Sequence, residues 1–345
     1  MGAGRTASES SAAPRIIHAA ELEHAIDLPR LIDEMAGGFI AYSAGRVVVP
    51  PVGHLGFDEP PGDVHIKYGY VRGDSVYVVK IASGFERNVS RGLPPGDGMM
   101  LVFDRATGVA RAVLLDRGGL TDLRTAVAGA VVARALAPKE IRRIGIIGAG
   151  VQGRLQLRCL AHVTTCREAM VFSRTPARAV EYARELGAAG FRVAVAPSAD
   201  ALAAECNLIV TATTARAALF AARSVCAGAH VSAFGADAPG KQELDPELFR
   251  RADIVVADSR AQAADHGDLA HALASGAVEL GDVRELGEVL ASPALGRTSD
   301  DQITVCDLTG VAVQDIVIAK HVLARAVDGV AVGEEEGLKS SRGGG

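Results

Sequence analysis

Three closely spaced glycines carry the plainest chemistry in this chain. The apolar run 143–147 opens directly into Gly148-Ala-Gly150-Val-Gln-Gly153, and a helix-compatible segment follows to Ala161. That order of strand, tight turn and helix can hold a dinucleotide. Gly148 permits the turn, Gly150 lets the backbone approach a pyrophosphate, and Gly153 lets the helix pack closely on the strand. Val151 and Gln152 then offer unpaired N–H groups at the positive end of that helix. A glycine-rich turn serving structure alone is the alternative, but the strand context and the alternation downstream favour a nucleotide. The next strand ends in Ser173-Arg174-Thr175, with no acid at its tip. NAD sites commonly place a carboxylate there for the ribose hydroxyls. Two hydroxyls and a guanidinium instead suit a 2′-phosphate, so NADP(H) is favoured, with NAD(H) as the alternative and a solvated surface arginine as the bland reading. Thr211 and Thr213, at and just beyond the end of the strand candidate 208–212, complete the candidate cofactor contacts.

Three charged residues stand out against their surroundings. Lys80 interrupts an apolar strand, where lysines are rare unless paired or functional; an edge-strand lysine explains it equally well. Asp237 follows a strand in a loop bordered by glycine and proline, beyond a strand's carboxyl end, where α/β proteins bind ligands. A carboxylate there suits proton transfer, although a capping aspartate would look the same. Arg124 lies on an otherwise small, apolar helix and suggests an anchor for a carboxylate, with a surface arginine as the alternative.

The elements that must position these residues fall into two textures. From residue 144 onward, strand candidates at 143–147, 169–173, 192–196, 208–212, 230–234, 254–258 and 303–306 alternate with helix candidates at 152–161, 176–186, 199–205, 246–251, 261–274 and 284–291. Continuous apolar strands between amphipathic helices predict a parallel sheet covered on both faces. Before residue 120 the pattern is mixed. Residues 15–43 look helical, with one helix near Ala19 and a second from Pro29. Strand-like runs follow at 47–49, 64–70, 76–83, 99–104 and 110–115, and Asp104 to Gly108 reads as a hairpin turn. The expected fold class is α/β: a Rossmann-type nucleotide-binding domain over 120–310 and a mixed α+β domain over 15–119, to which a final helix within 311–330 returns. Residues 1–14 and 333–345 read as disordered tails.

Bulk properties exclude several classes. The 345 residues suit two domains, and 4% aromatics without tryptophan suit alanine- and valine-rich packing. A net charge of −5 with 36 scattered basic residues argues against nucleic acid. No apolar run approaches the roughly 18–20 residues of a membrane span, and the N-terminus lacks a signal-peptide core. Five cysteines without CxxC spacing read as small buried hydrophobes in a reducing, cytoplasmic setting. His266 and His271 are off the spacing of a helical metal pair, and no metal is expected.

Taken jointly, Val79-Lys80-Ile-Ala-Ser-Gly-Phe85, Leu120-Thr-Asp-Leu-Arg124-Thr-Ala126, Gly148-Ala-Gly-Val-Gln152, Gly235-Ala-Asp237-Ala-Pro-Gly-Lys241 and Cys306-Asp-Leu-Thr-Gly310 resemble the ornithine cyclodeaminase/mu-crystallin family. They run in the family's order from about residue 16 to 327. The runs 63–70 and 305–315 look most like its ectoine-utilisation cyclodeaminase branch. The resemblance implies an active-site lysine at Lys80, an acid/base aspartate at Asp237, a carboxylate-binding arginine at Arg124, and a homodimer formed through the first domain. It implies hydride exchange between the α-carbon of a small amino acid and the nicotinamide, with a cyclic imine or an amino acid as substrate. Asp237 would then owe its proton affinity to burial and to cationic partners. Lys67 stands where ornithine cyclodeaminases carry a glutamate, and His54 where they carry a further arginine, so both enter the substrate set and ornithine itself is disfavoured. Ketimine reductases, pyrroline-carboxylate reductases, alanine dehydrogenases and non-catalytic NADP(H)-binding proteins share these motifs.

Overall fold

The computed structural model describes residues 13–340, which form two units. The first holds residues 13–26, Val48–Leu120 and 318–340; the second holds Asp27–Val47 and Thr121–Val317.

The first unit is built on one mixed sheet. Its strands are β1 (Arg15–His18), β2 (Val47–Val48), β3 (Gly53–Asp58), β4 (Pro61–Val71), β5 (Val76–Gly84), β6 (Gly96–Asp104) and β7 (Ala110–Leu115), in the order β1-β7-β6-β5-β4-β2, with β3 paired to β4. The β3 to β7 pairings are antiparallel, and β1 joins β7 in parallel. Alternation puts Val76, Val78, Met100, Val102, Ala112, Leu114 and Ile17 on a dry face. The other face is also apolar. Tyr77 stacks on Phe103 with centroids 4.8 Å apart, and Val79 faces both Tyr68 and Leu101. Tyr68, Met99 and Ile16 nevertheless remain 39%, 37% and 55% exposed. The predicted turn is present: Asp104 Oδ1 accepts from the Ala106 and Thr107 amides, and Gly108 takes φ 73°.

Two strands of the first unit depart from the sequence expectation, and in the second unit Arg284–Glu285 pair as a strand where a helix over 284–291 was expected, the helix starting at Leu286. Residues 15–18 form β1 rather than the start of a helix, and the helix begins at Ala19. Only Ile17 of this strand is buried, so its pairing with β7 decides its conformation. β3 was not expected at all, because its two glycines and nearly complete exposure leave no alternating signal.

The second unit carries eight parallel strands: β8 (Ile144–Ile147), β9 (Glu168–Phe172), β10 (Arg192–Val195), β11 (Leu208–Thr211), β12 (His230–Ala233), β13 (Ile254–Ala257), β14 (Arg284–Glu285) and β15 (Thr304–Asp307). Their order is β10-β9-β8-β11-β12-β15-β13-β14. The order reverses at β8, making its carboxyl end a topological switch point of the kind that binds dinucleotides. The expected helix over 261–274 is two helices, Arg260–Asp265 and Asp268–Ala274. They part at Gly267, whose φ of 120° excludes a helix and where a side chain would meet Asp307.

The division between units also differs from the expected 15–119 boundary. Helix Leu28–Ser43 belongs to the second unit, because Gly287 brings its backbone against the Phe39 carbonyl and Tyr42 Oη donates to Ser259 Oγ at 3.0 Å. The last helix, Ala312–Ser340, begins in the second unit and from Ile318 belongs to the first. Its backbone is helical through residues 333–340, while the tails at 1–12 and 341–345 lie outside the described residues. Among the described residues no helix is long and apolar enough to cross a membrane.

Candidate functional site

The glycine turn has the geometry that its sequence promised. Gly148 sits at φ 115°, with the Ala212 carbonyl pressed where a side chain would stand. Gly153 packs against the Gly148 carbonyl, as helix-on-strand contact requires. Gly150 opens helix Val151–Leu160 with no side-chain cap, and a Cβ built on it would meet nothing within 4 Å. The first N–H groups of this helix have no intrahelical partner, and the open space beside Gly150 leaves room for a pyrophosphate. The Gln152 side chain does something else: Nε2 donates to the Asp122 carbonyl at 3.0 Å and to its carboxylate at 3.1 Å, tying two helices together.

At the tip of β9, Arg174 and Thr175 are exposed and Ser173 Oγ accepts from the Thr175 amide at 3.3 Å. Thr175 opens helix Pro176–Ala188 without a side-chain cap. Thr211 and Thr213 do not serve as free cofactor donors. Thr211 Oγ1 is buried and donates to Glu243 at 2.7 Å, and the Thr213 amide and hydroxyl donate to the same carboxylate at 2.6 and 2.7 Å. Glu243 was invisible in sequence because it lies in an irregular loop and gathers its partners from two strand ends. Burial pushes its carboxyl up to about 7, against the pull of these donors.

Arg124 is no surface residue. It is 6% exposed on helix Gly119–Leu136, with Nε 3.0 Å from Asp315 Oδ1 in an ion pair and Nη1 donating to Gln314 Oε1. Gly310 lets the backbone come up to its guanidinium. One pocket of the second unit is lined by Arg124, Phe234, Asp237, Thr309, Gly310 and Gln314. Asp237 thus shares a pocket with Arg124, but not as a buried acid. Its side chain is 54% exposed and takes a 2.5 Å hydrogen bond from Lys241 Nζ, so the expected desolvation is absent and the cationic partner is a local one.

Lys80, Lys67 and His54 belong to the first unit. Lys80 is 3% exposed in β5, a strand flanked on both sides, so the edge-strand explanation fails. Lys67 faces it directly across β4. Buried Asp116 feels the Lys80 charge; burial raises the Asp116 carboxyl, while backbone donors and that charge oppose the rise. His54 is exposed on β3, opposite His65, with ring centroids 4.9 Å apart. With Asp63 these two offer three possible ligand atoms within 4.8 Å of one another, a group that only strand pairing assembles. His271 instead bonds the Lys241 carbonyl at 2.9 Å. Cys159, Cys206 and Cys306 are buried, unbridged thiols whose acidity burial suppresses.

Known proteins share this architecture over almost the whole chain. A putative dehydrogenase of Rhizobium meliloti is 39% identical over 315 residues, covering 90% of this chain and 95% of its own. An uncharacterized cyclodeaminase of Sinorhizobium fredii is 39% identical over 282 residues, covering 81% and 85%. The structure of Thermococcus litoralis Δ1-pyrroline-2-carboxylate reductase, in complex with NADH and L-proline, superposes with a TM-score of 0.85 at 27% identity, covering 91% of this chain and 98% of that one. The description of the ornithine cyclodeaminase/mu-crystallin family matches residues 13–330. The chain belongs to that family.

Proposed function

We propose that the protein exchanges a hydride between a nicotinamide dinucleotide and the α-carbon of a small amino acid, through the α-imine. The carrying observation is the pocket in which Arg124 and Asp237 stand together, in a unit whose sheet has its switch point at the open Gly148 turn. The bound nicotinamide supplies the hydride acceptor or donor. Arg124, held by Asp315 and Gln314, anchors the substrate carboxylate through charge-assisted hydrogen bonds. Asp237 takes the proton from the substrate ammonium before oxidation and returns it after reduction. Lys80 is the second catalytic candidate, on the strength of the family motif and its burial.

Two outcomes share the imine. A cyclodeaminase lets the substrate's own amine attack it, releases ammonia and returns the hydride, with no net redox change. An imine reductase or amino-acid dehydrogenase of the pyrroline-carboxylate or alanine type consumes one cofactor per product. The curated relative named as a cyclodeaminase and the solved reductase support one reading each. Ammonia release and reduced-cofactor absorbance, followed together on diamino acids, cyclic imines and keto acids with ammonia, separate them. Silence in both across the panel, with cofactor bound, would return the protein to a pure nucleotide-binding role.

The finer assignments are part of the same proposal. NADP(H) is preferred over NAD(H) because Ser173, Arg174 and Thr175 offer donors and positive charge with no acid beside them. The protein is a homodimer that covers the half-exposed apolar face of the first sheet, and it works in the cytoplasm, where unbridged cysteines persist.

A further inference from the structure

Glu243 has no role in the family motifs, yet it is the most heavily hydrogen-bonded carboxylate among the described residues of the second unit. Oε1 accepts from the Thr213 amide at 2.6 Å and the Thr213 hydroxyl at 2.7 Å. Oε2 accepts from the Thr211 hydroxyl and the Gly235 amide, both at 2.7 Å. Thr211 ends β11, and Gly235 is the second residue after β12. Each oxygen thus takes one hydroxyl and one backbone N–H, and one side chain ties together the segments leaving two adjacent central strands.

The tie is anchored and transmitted. Glu243 and Leu244 donate their backbone N–H groups to Asp268 Oδ1, both at 2.7 Å, and Leu269 donates to Asp307 Oδ2 at 2.8 Å. Gly235 has no room for a side chain, which would meet Glu243 and the Thr213 carbonyl. On the other side, Ala212, between the two tied threonines, presses its carbonyl on Gly148 at the turn that opens the dinucleotide cradle. Glu243 and Thr211 are fully buried, and the low local dielectric around the carboxylate strengthens these hydrogen bonds.

We propose that Glu243 is a positioning residue for the nicotinamide half of the cofactor, fixing the segments after β11 and β12 against the Gly148 turn. This rests on the reading that a nicotinamide dinucleotide binds at the carboxyl edge of this sheet. On that reading the pyrophosphate and adenosine rest on the helix that opens at Gly150 and on the β9 tip, neither of which is hydrogen-bonded to Glu243. Its loss therefore separates the two halves of the ligand.

The test uses the full chain and Glu243→Gln, whose amide nitrogen donates where one carboxylate oxygen accepted and so opposes a backbone N–H. Binding is measured for NADPH, NADH and ADP-ribose, the last lacking the nicotinamide. Glu243→Gln weakens NADPH and NADH at least tenfold and leaves ADP-ribose within twofold of wild type. Thr211→Val, which removes one donor and keeps the carboxylate, shows the same pattern at about threefold and serves if the first variant does not fold. In turnover the loss appears in the cofactor KM more than in kcat, and Thr211→Ser restores it. Equal weakening of all three ligands, or of none, overturns the proposal. Wild type that binds ADP-ribose but neither nicotinamide cofactor overturns the cofactor reading itself, a separate result.

Discussion

Lys67 and Lys80 oppose each other across β4 and β5, placing two cationic side chains on one face of the first sheet. Lys80 lies midway along β5, paired on its other side with the fully buried Met100 of β6. On the reading that both lysines line the substrate site, a third ammonium on a diamino acid is disfavoured there relative to a neutral or acidic side chain. Steady-state kinetics should give ornithine a kcat/KM at least tenfold below that of a substrate with an uncharged or carboxylate side chain, about 1.4 kcal/mol in discrimination. Lys67→Glu should narrow or invert that ratio. Efficient turnover of ornithine by the wild type would remove Lys67 from the substrate set.

Arg124 and Asp237 should fail in different ways. Arg124→Ala removes a charge-assisted anchor and takes the guanidinium away from buried Asp315, so KM should rise by roughly 10–100-fold and stability should drop as well. Asp237 is exposed and, among the described residues, its side chain bonds only Lys241, so Asp237→Asn should leave thermal unfolding unchanged. It should lower kcat by roughly 10²–10⁴-fold, the usual contribution of a general acid or base. Wild-type turnover in Asp237→Asn would displace the proton-transfer role to another group.

Cofactor preference is read most directly at Arg174. Fluorescence titration should show NADPH binding tighter than NADH, with Arg174→Ala erasing about tenfold of the difference, the worth of one charge-assisted hydrogen bond. NADH binding should be untouched by the change. A variant that loses both cofactors equally would show that Arg174 supports the fold and not the phosphate.

His230 sets an acid limit on stability. It is fully buried between Thr304 Oγ1 and Ser232 Oγ, at 2.7 and 2.8 Å, and burial together with Arg297 holds its imidazole down to about 3. The unfolded chain takes up this proton near pH 6.5 and the folded chain does not. Its stabilising contribution is therefore complete above pH 6.5 and is lost as pH falls from there toward 3, by at most about 5 kcal/mol. Glu243, raised to about 7, acts in the opposite sense over part of that window, so the comparison must be differential. Denaturant midpoints of wild type and His230→Gln should converge as pH is lowered from 7 to 4. Parallel curves would contradict a neutral buried imidazole.

The half-exposed face around Tyr68, Val79, Leu101 and Met99 predicts association. Light scattering at micromolar concentration should give a dimer, and Leu101→Glu should shift it to monomer by placing a charge within the apolar surface. A wild-type monomer would leave that face unexplained.

The sequence by itself determined most of the Rossmann sheet, because its central strands β8, β11, β12, β13 and β15 are buried on both faces and show as apolar runs between helices, whereas the edge strand β14, Arg284-Glu285, carries no such signal and lay inside an expected helix. It also determined the glycine turn, whose conformational requirements are local, and the family, whose motifs are short and contiguous. Tertiary structure decided what depends on distant partners. β1 is a strand because β7 lies beside it, and helix Leu28–Ser43 joins the second unit because Phe39 and Tyr42 find their contacts there. Side-chain roles moved for the same reason. Gln152, Thr211 and Thr213 read as cofactor contacts by position, yet their hydrogen bonds go to Asp122 and Glu243, far away along the chain. Asp237, expected to be buried, is exposed because its loop leaves it against Lys241. A pattern of residue types shows which atoms can bond, whereas only the folded backbone shows which partner reaches them first.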